Sequence, residues 1–387
     1  MNQFYFAKRK LQLVPAAIIL IVLAISTTAA QTITTFDAPG AGTGPLQGTY
    51  ATNIAPSGPI VVFSGDTNNV RHGFVRSQDG SFTIFDAPGA GTAAFQGTRA
   101  YATNPSGTVT GWFNDSAGAV HGYVRSDQGA ITVFDAPGAG TGPFPEGTFP
   151  WSPLIINPNG AITGWYTDSA LVSHGFLRDR NGAFTTFDVP GAEVGPGTFP
   201  FAISPGGEIT GFYDNGINAN HGFLRDKKGV ITTFDVPGAG TGLGQGTFGG
   251  GFTPNGNIMG NYIDADNVSH GFLMDRNGVF TTFDAPSAGT GPFQGTFPFG
   301  INSNGAITGW YTDAGDVNHG FVRDKHGALV EFDVPGAGTD PGQGPYPFSI
   351  APNGAVTGFS YDADNVVHGF VREGDRGTLG SAKFNRQ

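Results

Sequence analysis

Cysteine is absent from this 387-residue chain, so neither a disulfide scaffold nor a Cys-ligated metal site can form. Charge is sparse too. Lys, Arg, Asp and Glu make up 13% of the residues, and 19 basic against 30 acidic residues leave a formal net charge of −11. That balance argues against a nucleic-acid partner, because neutralising phosphates needs a basic surface. Glutamate is limited to Glu146, Glu193, Glu208, Glu331 and Glu373, which leaves few candidates for the paired carboxylates of a glycosidase. After the first thirty residues, no stretch keeps a 3.6-residue apolar period over ten positions, so helices are not expected there.

What the chain has in excess is glycine and proline, 64 and 27 residues, nearly a quarter of the whole. Such a composition signals low complexity unless it recurs with a period. The 34 phenylalanines point to order instead, since disordered chains are poor in aromatics.

The N-terminus differs from the rest. Lys8, Arg9 and Lys10 precede an apolar stretch from about Leu13 to Ile25, and Thr28-Ala29-Ala30 has the small residues of a cleavage site. Residues 1–30 therefore read as a signal peptide, too short in their apolar run for a membrane span of about 20 residues. Cleavage would remove three bases and no acid, taking the net charge from −11 to −14. The expected mature protein is acidic, extracellular or at the cell surface, with the periplasm as the other compartment, and not held in a membrane.

Internal repetition decides the fold. Phe-Asp-(Ala/Val)-Pro begins at Phe36, Phe85, Phe134, Phe187, Phe234, Phe283 and Phe332, at spacings of 49, 49, 53, 47, 49 and 49. His-Gly-(Phe/Tyr) begins at His72, His121, His174, His221, His270, His319 and His368, in step with it. Within the unit Thr296 to Pro335, Asn302-Ser303-Asn304-Gly305 and Asp324-Lys325-His326-Gly327 read as turns between short β-branched and aromatic strands. Four such strands per unit, seven times over, predict an all-β, seven-bladed propeller of four-stranded antiparallel blades spanning 31–373, with a tail at 374–387. Thr32 to Asp37 is an outer strand lacking the three before it, and the chain ends on three strands lacking the fourth. Pairing the two ends closes the ring and leaves no open edge.

Gly300-Ile301-Asn302-Ser303-Asn304-Gly305-Ala306-Ile307-Thr308-Gly309, followed by His319-Gly320-Phe321-Val322, resembles the bacterial extracellular repeat family named for its His-Ala-Phe tripeptide. This chain has Gly where that family has Ala, and adds the Phe-Asp-Ala-Pro-Gly connector. The resemblance implies an exported β-repeat protein and carries over no catalytic residue.

A residue present in every unit serves the unit, whereas function sits where the symmetry breaks. The aspartate after each repeat Phe is expected to accept backbone N–H groups in its turn. Each repeat His is expected to be buried against the aspartate of the preceding loop (Asp66, Asp115, Asp168, Asp214, Asp264, Asp313, Asp362), and each Arg after the His motif to pair with a neighbouring Asp. Trp112, Trp165 and Trp310 share one strand position and read as packing residues. Trp151 stands outside the pattern and is a ligand-contact candidate, as are the connector acids Glu146, Glu193 and Asp340. Asp264, Asp266, Asp313, Asp316, Asp362 and Asp364 crowd the last three pre-His loops, where a Ca²⁺ ion is the cofactor to test. The expected function is a non-enzymatic, monomeric binding or scaffold module for a protein or glycan. The alternative is a propeller hydrolase or lyase acting on polysaccharide.

Overall fold

The computed structural model describes residues 32–192, 196–216 and 219–374. The expected signal segment, and all but Gly374 of the expected tail, lie outside these residues, as does Glu193.

Local chemistry sets out the strands. In blade 6, Asn302 Oδ1 accepts the N–H groups of Asn304 and Ala306, and Gly305 takes φ +83°, reversing the inner strand Gly295–Ile301 into Ile307–Thr312. Asp313 Oδ1 holds Gly315 and Val317 in the same way before the third strand, Asn318–Arg323, and Asp324 Oδ1 holds His326 and Ala328 before the outer strand, Leu329–Phe332. The described residues form 28 strands, seven such antiparallel blades in chain order, the fold expected from the repeats. Blade 1 has the inner strand Gly48–Ile54, and blade 7 has Gly344–Ile350.

Neighbouring blades meet where the first residue of a third strand pairs in parallel with the glycine that opens the next inner strand, as Arg71 does with Gly97. Gly97 sits at φ +100°, and any Cβ there would collide with the Arg71 carbonyl. In blades 1 to 6 the following threonine is buried, and its hydroxyl accepts the N–H of the Ala or Val in Phe-Asp-(Ala/Val)-Pro, as Thr98 does from Ala87 at 2.9 Å, whereas blade 7 has Pro345 there. Ring closure follows the expected route. Ile33–Phe36 pairs antiparallel with Val367–Arg372, and Gly48 pairs with Val367.

Two repeat residues behave differently from expectation. Each repeat histidine directs Nδ1 at the aspartate after the repeat Phe, from 2.6 Å for His319–Asp333 to 3.0 Å for His72–Asp86 and His368–Asp37. The pre-His aspartate faces Nε2 at longer range, 3.3 Å for His270–Asp264, with its other oxygen already holding its own loop. In blade 4 Asn215 stands at that loop position. The Phe-Asp aspartate is thus a side-chain partner across two strands, because the antiparallel register sets Phe36 opposite Gly369 beside His368. The rings are half-buried, and in blades 2 to 6 each stacks on a neighbouring aromatic, as His174 does on Tyr166 at 4.9 Å, whereas Ser64 and Ser360 stand opposite His72 and His368.

The arginine after the His motif stacks on the repeat Phe of the preceding blade, and Arg76, Arg125, Arg178, Arg225 and Arg323 form no ion pair with an Asp among the described residues. Arg76 lies 4.5 Å from the Phe36 ring and Arg323 4.6 Å from Phe283. That same Phe ring covers the glycine of its own blade's His-Gly-(Phe/Tyr), as Phe332 covers Gly320.

The histidine–aspartate contacts make stability depend on pH. Hydrogen bonding to Asp86 holds the His72 pKa above the ordinary value, Asp135 and Asp284 do the same for His121 and His270, and Asp37 takes His368 up to about 9. A group whose folded pKa is raised stabilises the fold fully below its unfolded pKa, about 6.5, and loses that contribution as pH rises through the folded value. For His368 this is at most about 3 kcal/mol, reduced by solvent screening around half-exposed Asp37. Calorimetric melting should therefore give a temperature that falls from pH 6.5 to pH 10, with a shallower slope in His368→Asn. A flat profile across that range would refute the linkage.

Candidate functional site

Blade 3 breaks the symmetry. Its inner strand pairs only over Gly147–Phe149, whereas blades 4, 6 and 7 pair on through a proline at the place of Pro150, and the chain returns to the blade at Ile155, whose carbonyl accepts the Thr163 N–H. Three extra residues lie in this excursion, and a fourth lengthens the connector before blade 3, which together account for the spacing of 53. The excursion crosses the centre of the ring. Asn53 of blade 1 donates to the Pro153 carbonyl at 2.9 Å, Leu154 accepts from Ile203 N–H of blade 4, and the Leu154 side chain packs with Met259 and Ile301 of blades 5 and 6. The central channel is plugged by the protein's own chain.

Above the plug, on the face where connectors and pre-His loops emerge, an apolar cleft of about 820 Å³ opens over blades 2 to 4. The connector into blade 3 is one residue longer than its counterparts, and it supplies Pro143, Phe144 and Pro145, with a cis bond between the last two. The connector into blade 4 is two residues shorter, giving the spacing of 47, and supplies Pro196. Between them the cleft is walled by Tyr101, Trp112, Phe149, Trp165 and Phe199. These belong to a belt of aromatic side chains around the upper end of the ring, where Phe149 stacks on Trp165 at 5.6 Å and Tyr101 on Trp112 at 6.3 Å.

Trp151 sits on the plug, 44% exposed, with its ring edge-on to Tyr101 at 6.2 Å and to Trp165 at 5.6 Å. It lines the cleft, and Trp112 and Trp165 are buried packing residues as expected. Trp310, across the ring, is half-buried among Phe297, Phe299 and Phe348.

The candidate acids fall elsewhere. Glu146 Oε2 accepts the Gly142 N–H at 2.8 Å, the work done in blade 1 by Gln47 on Gly44, so its carboxylate shapes the connector. Asp340 is exposed on the connector into blade 7 and donates its backbone N–H to Gln343. Asp264 with Asp266, Asp313 with Asp316 and Asp362 with Asp364 remain three separate loops. In each, the first aspartate holds backbone N–H groups, and Asp316 additionally accepts from Gln294. Among the described residues no three His, Asp or Glu side chains come together as a metal-ion site.

Sequence reading passed over Arg99. The six other blades carry Tyr or Phe at its position, namely Tyr50, Phe149, Phe199, Phe248, Phe297 and Tyr346. Its guanidinium lies 4.2 Å from the Trp112 ring, donates to Asn114 Oδ1 at 2.8 Å and to the Phe95 carbonyl, and lines the cleft. Burial pulls its pKa down to about 10, with Arg71 nearby acting in the same direction, so it stays charged at neutral pH. Burial likewise pushes the Tyr101 hydroxyl up to about 12. The signal was one departure from the repeat among many, and nothing in the linear order distinguishes it.

No protein-family model and no curated protein matches the chain. Among solved structures it is similar to a mutant puromycin hydrolase, at 12% identity and TM-score 0.49 over 85% of this chain and 55% of that one. It is also similar to PorZ, a surface component of the type-IX secretion system of Porphyromonas gingivalis, at 12% identity and TM-score 0.49 over 87% of this chain and 47% of that one. A third similarity is to a mutant of the Aleuria aurantia lectin, at 11% identity and TM-score 0.32 over 90% of this chain and all of that one. The chain thus spans about half the length of the first two, and none of these likenesses bears on its activity.

Proposed function

We propose that the protein is an exported, monomeric binding module of the His-Ala-Phe repeat type that holds a glycan in the cleft over blades 2 to 4 without turning it over. One observation carries this reading: the longer connector, the shorter connector and the plug, the places where the repeat departs from its period, all meet at one aromatic cleft bearing the exposed Trp151. Ligand sites are concave and mostly apolar, with a few polar groups to orient the ligand, and an exposed indole offers a flat face to a sugar ring. Hydrolysis would need two carboxylates astride the bond, whereas the described lining residues include no Asp or Glu, which supports binding. Export rests on Lys8, Arg9 and Lys10 and the apolar run after them.

A glycan array probed with the mature protein and with Trp151→Ala tests the reading, alongside a panel of chromogenic glycosides. Binding to a subset of glycans that falls at least about tenfold in Trp151→Ala, a loss of about 1.4 kcal/mol, is the expected outcome. No binding to any glycan, binding indifferent to the substitution, or turnover of a glycoside would each overturn it.

A further inference from the structure

The cleft has a polarity that the net charge of −11 does not foretell. Arg99 uses two of its five N–H groups on the protein, on Asn114 and on the Phe95 carbonyl, and meets no carboxylate among the described lining residues. A second arginine stands behind Phe95. Arg71 is 7% exposed, with its guanidinium 5.7 Å from the Phe95 ring and 5.4 Å from that of Tyr50. Its guanidinium donates a long hydrogen bond, 3.4 Å, to the Leu46 carbonyl, and its Nε has no partner. Arg71 too departs from the repeat, since the other blades have Val120, Ser173, Asn220, Ser269, Asn318 and Val367 in its place. Space for it is made at Gly65, where a Cβ would collide with the guanidinium and where blade 2 has Asn114. Two cations close enough to repel, partly desolvated, with donors to spare and no counter-ion among the described residues, are costly unless a ligand supplies the anion.

We propose that the cleft selects an acidic glycan, taking a hexuronate carboxylate on Arg99, with Arg71 adding positive potential from behind Phe95, while the sugar ring lies on Trp151. This deepens the binding reading above and rests on it. Arg99 presents its remaining N–H groups at the cleft wall beside Trp112, and the guanidinium fork matches a carboxylate. The low-dielectric aromatic surroundings strengthen that contact relative to water. Neutral sugars would keep the stacking on Trp151 and forgo the carboxylate contact.

The test uses the mature protein and calorimetric titration at neutral pH and about 0.15 M salt, close to physiological ionic strength. The probes are galacturonate, glucuronate and mannuronate trisaccharides, each beside its methyl ester, which keeps the ring and removes the charge. At least one acid is expected to bind tenfold or more tightly than its ester. Arg99→Gln should bring the acid to the level of the ester, Arg99→Lys should retain part of the preference, and Arg71→Gln should lower acid binding several-fold with little effect on the ester. Circular dichroism melts confirm that each variant folds. Acid and ester binding alike, or a preference that survives Arg99→Gln in a folded protein, overturns the acidic selection and leaves the glycan reading standing if Trp151→Ala still weakens both. Failure of every trisaccharide while neutral glycans bind on the array likewise overturns only the acidic selection. Failure of trisaccharides and array together overturns the binding reading itself.

Discussion

Mature protein beginning at Ala38, without the strand Ile33–Phe36, is expected to melt roughly 10 °C or more below the intact protein, or to lose its cooperative transition altogether. The strand supplies four paired residues to Val367–Arg372. With it go the Phe36 ring, which covers Gly369 and stacks under Arg76, and Asp37, the partner of His368. Deleting a packed phenylalanine costs about 3–5 kcal/mol and a cation–π contact about 0.5–2 kcal/mol. The His368 contribution, at most about 3 kcal/mol, comes on top, so the total lies between about 3.5 and 10 kcal/mol before any hydrogen bond of the ladder is counted. Because Phe36 and Asp37 join the last blade to the first, the loss falls on the ring and not on one hairpin. Val367–Arg372 becomes an open edge, which presents unpaired N–H and C=O groups to other molecules. Differential scanning calorimetry together with light scattering measures both effects. An unchanged melting temperature and a monodisperse monomer would show that the ring does not depend on this closure.

Gly320→Ala should destabilise the protein by about 2–3 kcal/mol, although alanine is ordinarily tolerated in a strand. Gly320 has no left-handed backbone angle, so the cost is steric alone. A methyl there would stand 2.5 Å from the Phe332 ring, which lies across the strand pair in the register Gly320↔Phe332. Phe332 cannot move far, because its other neighbours include Phe370, at 6.2 Å between centroids, and the Arg372 guanidinium at 5.0 Å. If the clash is the cause, shortening the ring relieves it. Phe332→Leu alone should cost stability, whereas the double variant should be more stable than the sum of the two by at least about 1 kcal/mol. Denaturant titration of the four proteins gives the coupling directly. Additive single effects would place the cost of Gly320→Ala in the backbone, not in the ring.

This glycine shows how two oddities of the sequence are one feature. The glycine of His-Gly-(Phe/Tyr) and the Phe of the Phe-Asp connector look independent along the chain. In the blade they are neighbours, and the Phe ring fills the space an alanine methyl would take. The histidine meets its loop aspartate as expected but has a nearer partner, for a related reason. Asp362 is six residues from His368 and Asp37 is 331 residues away, yet the nearer contact is to Asp37, at 3.0 Å against 3.3 Å. Proximity in sequence favoured the loop aspartate, whereas strand register delivers the other. Arg323 likewise reaches a Phe ring one blade back, and of Asp324 beside it only the backbone carbonyl.

The sequence by itself determined the number of blades, their strands, their turns and the closing of the ring. Those features depend on interactions that recur within each 49-residue unit: an Asx side chain holding its own hairpin, a glycine at positive φ, a β-branched strand. Seven repetitions make such a local signal unmistakable. Only the tertiary structure decided where the cleft is and what it contains. Arg71, Arg99, Pro145, Trp151 and Pro196 are single departures scattered along the repeats, none of which has meaning alone. Closing the ring sets consecutive blades side by side and sends the Pro150–Leu154 excursion through the centre, and this brings the departures to one place. A period can be read along a line, but the meeting of its exceptions depends on distances that exist only once the line has closed into a circle.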